Sequence, residues 1–125
     1  MKTANEYLEE ANAVVPRIST EAGIEKHKDG QSVFIDVRDS GDIAKSGTIA
    51  GAVLVARGIL EFKADDTHPL HNPDLKKDAD IVLVCAAGGQ AALSGKTLVD
   101  LGFQSVSNVG GISAWRDAGG PMEQA

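Results

Sequence analysis

Four consecutive aliphatic residues, at positions 81–84, place the strongest constraint on the fold of this chain. The run shows no alternation of apolar and polar residues, which is typical of a strand covered on both faces in a parallel sheet. Three further short β-prone runs occur, at 33–37, 52–55 and 105–109. Segments with helical spacing of apolar residues separate the runs, most clearly after position 90. The sequence therefore predicts an α/β fold built on a parallel sheet.

The first residues predict two helices before the first strand. Residues 4–14 show helical spacing, and Pro16 ends that helix because the residue before a proline disfavours the helical region. Ser19 is predicted to cap a second helix that closes at Gly30. The chain has 125 residues, the size of one ordinary domain. We therefore expect a single domain over 1–125, with residues 1–15 as an N-terminal helical extension.

The remaining segments are predicted from turn residues and apolar spacing. Residues 47–51 are predicted to form a turn, and residues 64–78 a polar loop. A last helix is predicted over 112–118, ended by a Gly-Gly-Pro stop.

Charge and composition exclude several classes of function. The net charge is −6 and the basic residues are scattered, so the sequence predicts no nucleic-acid binder. No stretch approaches the ~18 apolar residues of a membrane span, so no membrane association is predicted. The N-terminus contains acids and lacks the apolar core of a secretory signal. One cysteine allows no internal disulfide and fits a reducing compartment, so we expect a cytoplasmic protein.

Cys85 is the residue most clearly placed for chemistry. It follows the strongest predicted strand directly, and small residues and a Gly-Gly pair then lead into a helix. Ligands of open α/β sheets bind beyond the carboxyl ends of strands, where helix N-termini present unpaired N–H groups. Glycines let such a loop curl into a nest of N–H groups that stabilises a thiolate, a persulfide or a bound oxyanion. The competing interpretation is an inert cysteine buried at a strand end.

Three blocks of sequence resemble the rhodanese family over residues 17–121. The first runs from Asp36-Val37-Arg38 through Gly47-Thr48-Ile49-Ala50-Gly51-Ala52, the second is Cys85-Ala86-Ala87-Gly88-Gly89-Gln90, and the third runs from Asn108 to Trp115. The resemblance implies a five-stranded parallel sheet with helices on both faces. It also implies a sulfurtransferase in which Cys85 takes a sulfane sulfur from thiosulfate or a similar donor and passes it to cyanide or a thiol.

The same resemblance assigns roles to individual residues. Cys85 is the expected catalytic nucleophile, and Asp36 and Arg38 are expected to support the site structurally. The expected partners are a small anionic sulfur donor, a thiol or cyanide acceptor, and a protein of a sulfur relay; no cofactor is expected. The expected substrate-binding residues in the loop are Ala86, Ala87, Gly88, Gly89, Gln90 and Ala91. Arg57 joins them because of its position alone: it lies beyond the second predicted strand, whose carboxyl end should face the same rim as Cys85.

Two residues depart from the family pattern. Thr48 stands where the family usually has histidine, and Gln90 stands where many active members have arginine. An amide in place of a guanidinium weakens an anion site by about 1 kcal/mol or more. We therefore expect weak thiosulfate binding or a different donor, and Arg57 is a candidate to supply the missing charge.

Other polar and aromatic residues fit structural roles better. His27, His68 and His71 do not have metal-site spacing with Cys85, so no metal site is predicted. A Cys–His catalytic pair would require one of the loop histidines to fold over Cys85. Trp115 is predicted to anchor the last helix in the core.

Two other functions compete with sulfur transfer. A phosphatase or arsenate reductase also uses a cysteine loop, but the sixth residue after Cys85 is Ala91 rather than arginine. A non-catalytic rhodanese-like sulfur carrier or binding module is the second alternative, and Gln90 favours it.

Overall fold

Helices and strands alternate along the chain in a computed structural model that describes residues 1–125. The elements in chain order are α1 (Ala4–Val14), α2 (Thr20–Asp29), β1 (Ser32–Asp36), α3 (Ser40–Ser46), β2 (Thr48–Ile49), β3 (Val53–Leu54), a 3-10 turn (Arg57–Ile59), α4 (Leu60–Ala64), β4 (Asp80–Cys85), α5 (Gly89–Asp100), β5 (Ser105–Gly111), α6 (Ile112–Asp117) and β6 (Met122–Glu123). No helix has the length and apolar character needed to cross a bilayer.

The central sheet is parallel and has the strand order β3-β1-β4-β5. The predicted α/β fold with a parallel sheet is therefore confirmed. The four aliphatic residues of β4, from Ile81 to Val84, are each 0% exposed. They show no polar alternation because helices cover both faces of the strand.

The sheet has four strands, so the expected count of five is wrong. The fifth position, outside β5, is filled by one isolated parallel bridge between Arg17 and Asn108. Two hydrogen bonds form it, from Ile18 N–H to the Asn108 carbonyl (3.0 Å) and from Asn108 N–H to the Pro16 carbonyl (2.9 Å). The segment cannot extend as a strand because Pro16 has no N–H to donate and Ser19 already caps α2.

Two apolar cores lie on the two faces of the sheet. One contains side chains of α4 and α5 together with Cys85, and α1 packs over α5 on this face. The other contains α6 and its Trp115, which is 0% exposed and meets Phe34 edge to face at 5.4 Å between ring centroids. The Trp115 Nε1–H donates to the Pro121 carbonyl at 3.0 Å. The predicted core role of Trp115 is confirmed.

The helix caps agree with the sequence prediction, but one small sheet was not predicted. The Ser19 hydroxyl accepts from the Ala22 N–H at 3.0 Å, and Gly30 closes α2 with a left-handed φ of 74°. Residues 47–51, predicted as a turn, contain β2, which pairs antiparallel with β6 beyond the Gly-Gly-Pro stop. Strands of two residues are too short to show a recognisable alternation of apolar and polar residues in the sequence.

A polar cluster ties the strands together at the end of the sheet remote from Cys85. The carboxylate of Asp80 accepts hydrogen bonds from Lys26 Nζ (2.8 Å) and from the hydroxyls of Ser32 and Ser105 (2.6 Å each). Partial burial opposes ionisation of this carboxyl, but the three hydrogen bonds and the Lys26 charge outweigh it and hold the pKa of Asp80 below its ordinary value. Asp80 therefore connects β4 to α2, β1 and β5.

Candidate active site around Cys85

The sulfur of Cys85 lies in a nest of backbone N–H groups. Cys85 is the last residue of β4, and its Sγ accepts from the Gly88 N–H at 3.0 Å and from the Ala91 N–H at 3.3 Å. Gly88 has a φ of 103°, a conformation that favours glycine, and it forms the N-cap of α5. The strand end and the helix start thus converge on one sulfur atom, which favours negative charge there.

The other loop residues surround this nest without bonding to the sulfur. Ala86, Ala87 and Gln90 are exposed, and Gly89 is half-buried at the start of α5. Cys85 itself is 1% exposed. The structure therefore brings the predicted loop residues together, with two of them donating to Sγ.

Asn108 fixes the loop from the neighbouring strand, a role that the sequence did not reveal. Its Nδ2–H donates to the Gly88 carbonyl at 2.9 Å, and its Oδ1 accepts from the Gly110 N–H at 2.8 Å. A register shift between β4 and β5 leaves out Val109, so that Gly111 lies opposite Cys85. Asn108 is 1% exposed. The available signal was an amide side chain inside an otherwise buried strand, where polar groups need partners.

Asp36 and Arg38 form a buried pair that holds the turn before β2. The Asp36 carboxylate accepts from Arg38 Nε (3.1 Å) and Nη2 (2.8 Å), and from the Thr48 hydroxyl (2.8 Å). Arg38 also donates to the Gly47 carbonyl and to the Ser46 hydroxyl, each at 2.8 Å. These bonds hold the turn at 46–48, and none of them reaches the loop at 85–91. The Thr48 hydroxyl therefore belongs to the same buried hydrogen-bond cluster.

Arg57 is held by side chains of two helices and makes no hydrogen bond to the Cys85 loop. Its guanidinium donates to Glu61 at 3.3 Å and to the Thr97 hydroxyl at 3.2 Å. Thr97 lies eight residues after Gly89, about 12 Å along the axis of α5. The guanidinium is therefore held beside the second half of α5, while Arg57 and Gly89 line the same cavity.

Two cavities adjoin the loop from different sides. A groove of about 310 Å³ passes the exposed face of Ala86 and is lined there by Lys45 and Ser46 of α3 and Ser113 of α6. A cavity of about 510 Å³ lies between α1 and α5, beside Gly89 and Arg57.

The three histidines are engaged in structural contacts. His27 lies between Phe34 and Trp115, with Nε2 at 2.8 Å from the Ala50 carbonyl. His68 Nδ1 accepts from the Leu70 N–H, and His71 Nε2 lies 3.2 Å from the Leu75 carbonyl. No group of three or more His, Cys, Asp or Glu side chains is placed to hold a metal ion.

Known proteins resemble this chain in sequence and in fold. The sequence model of the family described as Rhodanese-like domain matches residues 20–118. A solved structure from Rhodopseudomonas palustris, a protein of unknown function described as a possible tyrosine phosphatase, is 38% identical. It superimposes with a TM-score of 0.92 over 98% of this chain and 96% of that one. The polysulfide-sulfur transferase of Wolinella succinogenes is 26% identical with a TM-score of 0.74, covering 93% of this chain and 83% of its own.

One curated plant protein also matches. The Arabidopsis thaliana protein called HIGH ARSENIC CONTENT 1, mitochondrial, is 34% identical over 95 residues, which are 69% of this chain and 53% of the plant protein. The chain thus spans about half the length of that relative.

Proposed function

The chain belongs to the rhodanese-like family, and on this premise we propose that it is a sulfurtransferase acting through a persulfide on Cys85. The proposed donor is thiosulfate or a similar sulfane-sulfur compound, and the proposed acceptor is cyanide or a thiol. The observation that carries the proposal is the pair of N–H groups, from Gly88 and Ala91, directed at Sγ.

The proposed reaction has two balanced displacement steps. The Cys85 thiolate attacks the outer sulfur of thiosulfate, the S–S bond of the donor breaks, and sulfite leaves with the bonding pair. The acceptor then attacks the outer sulfur of the Cys85 persulfide, which breaks the new S–S bond and regenerates the thiolate. The Gly88 and Ala91 N–H groups stabilise the negative charge that sulfur carries in each step. The two steps balance without a redox cofactor.

Gln90 sets the expected strength of donor binding. Its exposed amide carries no charge, so a dianionic donor lacks a charge-assisted contact at this position. We therefore propose weak thiosulfate binding, with a protein-borne persulfide of a sulfur relay as the other donor class. If no donor loads Cys85, the remaining candidate is a non-catalytic carrier or binding module.

A phosphatase is a second candidate because of the description of the Rhodopseudomonas neighbour. The phosphate loops of cysteine phosphatases use an arginine six residues after the cysteine, and Ala91 stands there. Without this guanidinium a phosphoryl dianion loses its main partner. We therefore rank phosphate transfer below sulfur transfer. Turnover of an aryl phosphate that depends on Cys85 would reverse the ranking.

Intact-mass measurement after incubation with thiosulfate tests the proposal. We expect wild type to gain the mass of one sulfur atom and Cys85→Ser to gain none. We expect Gln90→Arg to form thiocyanate from thiosulfate and cyanide faster than wild type, about tenfold at subsaturating thiosulfate. A Cys85 that gains no sulfur from thiosulfate, an organic persulfide or a polysulfide would refute sulfur transfer.

We further propose that the 125 residues act as one unit and that the protein works in the cytoplasm. The single cysteine fits a reducing compartment. The Arabidopsis relative is named as mitochondrial, so fractionation of cells that express the native protein is the deciding measurement.

A further inference from the structure

Arg17 lies at the edge of the sheet beside the Cys85 loop, three residues before the segment 20–118 that the family model matches. Its neighbours in sequence clamp its backbone, because the Pro16 carbonyl and the Ile18 N–H both bond to Asn108. Asn108 in turn donates to the Gly88 carbonyl. The Cα atom of Arg17 is therefore held in a fixed position relative to the loop.

The guanidinium of Arg17 packs against two glycines of the site. A Cβ placed on Gly88 would lie 2.8 Å from Arg17 Nη1, closer than real Cβ atoms approach other atoms, and 3.2 Å from Cζ, which is a tight contact. A Cβ on Gly110 would lie 3.0 Å from Cζ and 3.2 Å from Nε. The guanidinium thus occupies the space next to both Cα atoms, and Gly88 is the residue whose N–H donates to Sγ.

The charge of this guanidinium is not neutralised. Every other arginine of the chain pairs with a carboxylate: Arg38 with Asp36, Arg57 with Glu61 and Arg116 with Asp117. None of the ion pairs in the structure involves Arg17. Arg17 is also exposed, so its charge faces solvent at the loop while one side of the guanidinium covers the glycines.

We propose that Arg17 is a positioning residue of the Cys85 loop and supplies, from outside the loop, the positive charge that Gln90 does not. Its packing holds the Gly88 peptide against Sγ, and its charge attracts anionic reactants to the sulfur. The reading of those reactants as sulfur donors rests on the proposed function. The attraction itself does not depend on the proposed function, because a positive charge attracts any anion that reaches Cys85.

Alkylation of Cys85 by two reagents of similar size measures this charge. Iodoacetate is an anion and iodoacetamide is neutral, so the ratio of their rates reports the local potential, whereas a change in access alone alters both rates together. The variants are Arg17→Gln, Arg17→Lys, which keeps the charge, and Lys28→Gln. Lys28 is exposed on the last turn of α2 and gives the same change in net charge.

We expect Arg17→Gln to lower the iodoacetate-to-iodoacetamide ratio about two- to fivefold at low salt. Arg17→Lys should restore most of the ratio, and Lys28→Gln should leave it at the wild-type value. At about 1 M salt the difference between Arg17→Gln and wild type should vanish, because screening acts over about 3 Å there.

Two results would overturn the charge that we assign to Arg17: an unchanged ratio in Arg17→Gln, whether or not both rates fall, or the same fall of the ratio in Lys28→Gln. If Arg17→Gln does not fold, the test rests on wild type and Arg17→Lys, whose ratios must both fall as salt is added. Because alkylation needs no sulfur transfer, a protein that shows the charge effect but gains no sulfur from thiosulfate would refute the proposed function and leave the role of Arg17 standing.

Discussion

Replacing Asn108 by alanine tests whether this side chain holds the Cys85 loop. The wild-type amide joins Gly88 to Gly110 through hydrogen bonds of 2.9 and 2.8 Å and is 1% exposed. Alanine removes both bonds. The Gly88 carbonyl keeps the Ala92 N–H at 3.0 Å, but the Gly110 N–H loses its side-chain acceptor.

These contacts set the size of the expected effect. The lost Asn108–Gly88 bond is worth about 1 kcal/mol, and the buried Gly110 N–H without its acceptor costs about 1 to 2 kcal/mol more. We expect the free energy of unfolding to fall by about 2 to 3 kcal/mol. For a chain of 125 residues this corresponds to a fall in Tm of roughly 8 to 12 °C. The rate of sulfur loading at Cys85 should fall about tenfold or more, because the Gly88 N–H is no longer fixed toward the sulfur.

Urea unfolding and the thiosulfate mass shift measure the two effects. Ser107→Ala is the matched control, since Ser107 is the preceding residue of β5 and its buried Oγ has no hydrogen-bond partner. We expect this control to be as stable as wild type or slightly more stable. An Asn108→Ala protein within 0.5 kcal/mol of the control would refute the energetic argument. A destabilised variant with unchanged sulfur loading would show that Asn108 supports the sheet but not the loop.

Two further predictions concern charged groups away from the sulfur. Asp36→Asn leaves the buried Arg38 without its carboxylate, so urea unfolding should show a free energy of unfolding about 3 to 5 kcal/mol lower than that of wild type. The exposed control Asp39→Asn should show no measurable decrease. A decrease below about 1 kcal/mol in Asp36→Asn would contradict this expectation. The pKa of Asp80 is lowered in the folded state, so its stabilisation is complete above the ordinary carboxyl range and disappears as the pH falls through the lowered pKa. Urea midpoints from pH 7 to pH 3 should therefore fall less steeply in Asp80→Asn than in wild type, and parallel curves would refute the role of the carboxylate.

The sequence predicts the parts of the site that local pattern determines. An aliphatic run that ends in Cys85 and continues into small residues and glycine defines both β4 and the start of α5. Glycine at position 88 indicates the left-handed turn that the N–H nest requires. The structural role that the family resemblance implies for Asp36 and Arg38 takes the form of a buried ion pair.

The sequence does not predict contacts that depend on long-range pairing. Arg17 reaches Gly88 only because the segment before α2 bridges to Asn108, which lies 91 positions later in the chain. The end of the preceding strand predicts where the backbone of Arg57 lies. The direction of its side chain is set by hydrogen bonds to Glu61 and Thr97, which lie on two different helices. Strand endings and glycines are local signals, whereas the direction of a long cationic side chain depends on the finished packing.

The burial of the sulfur also limits the shape of what can react with it. With 1% of Cys85 exposed, we expect a reactant to approach the thiol end-on, with the reacting atom at the end of a narrow group. Thiosulfate and the free end of a persulfide have that form, while a disulfide set into the flat surface of a folded protein does not. A protein that delivers sulfur to this chain should therefore carry it on a projecting segment. The same burial should slow the reaction of Cys85 with bulky disulfides relative to small reagents.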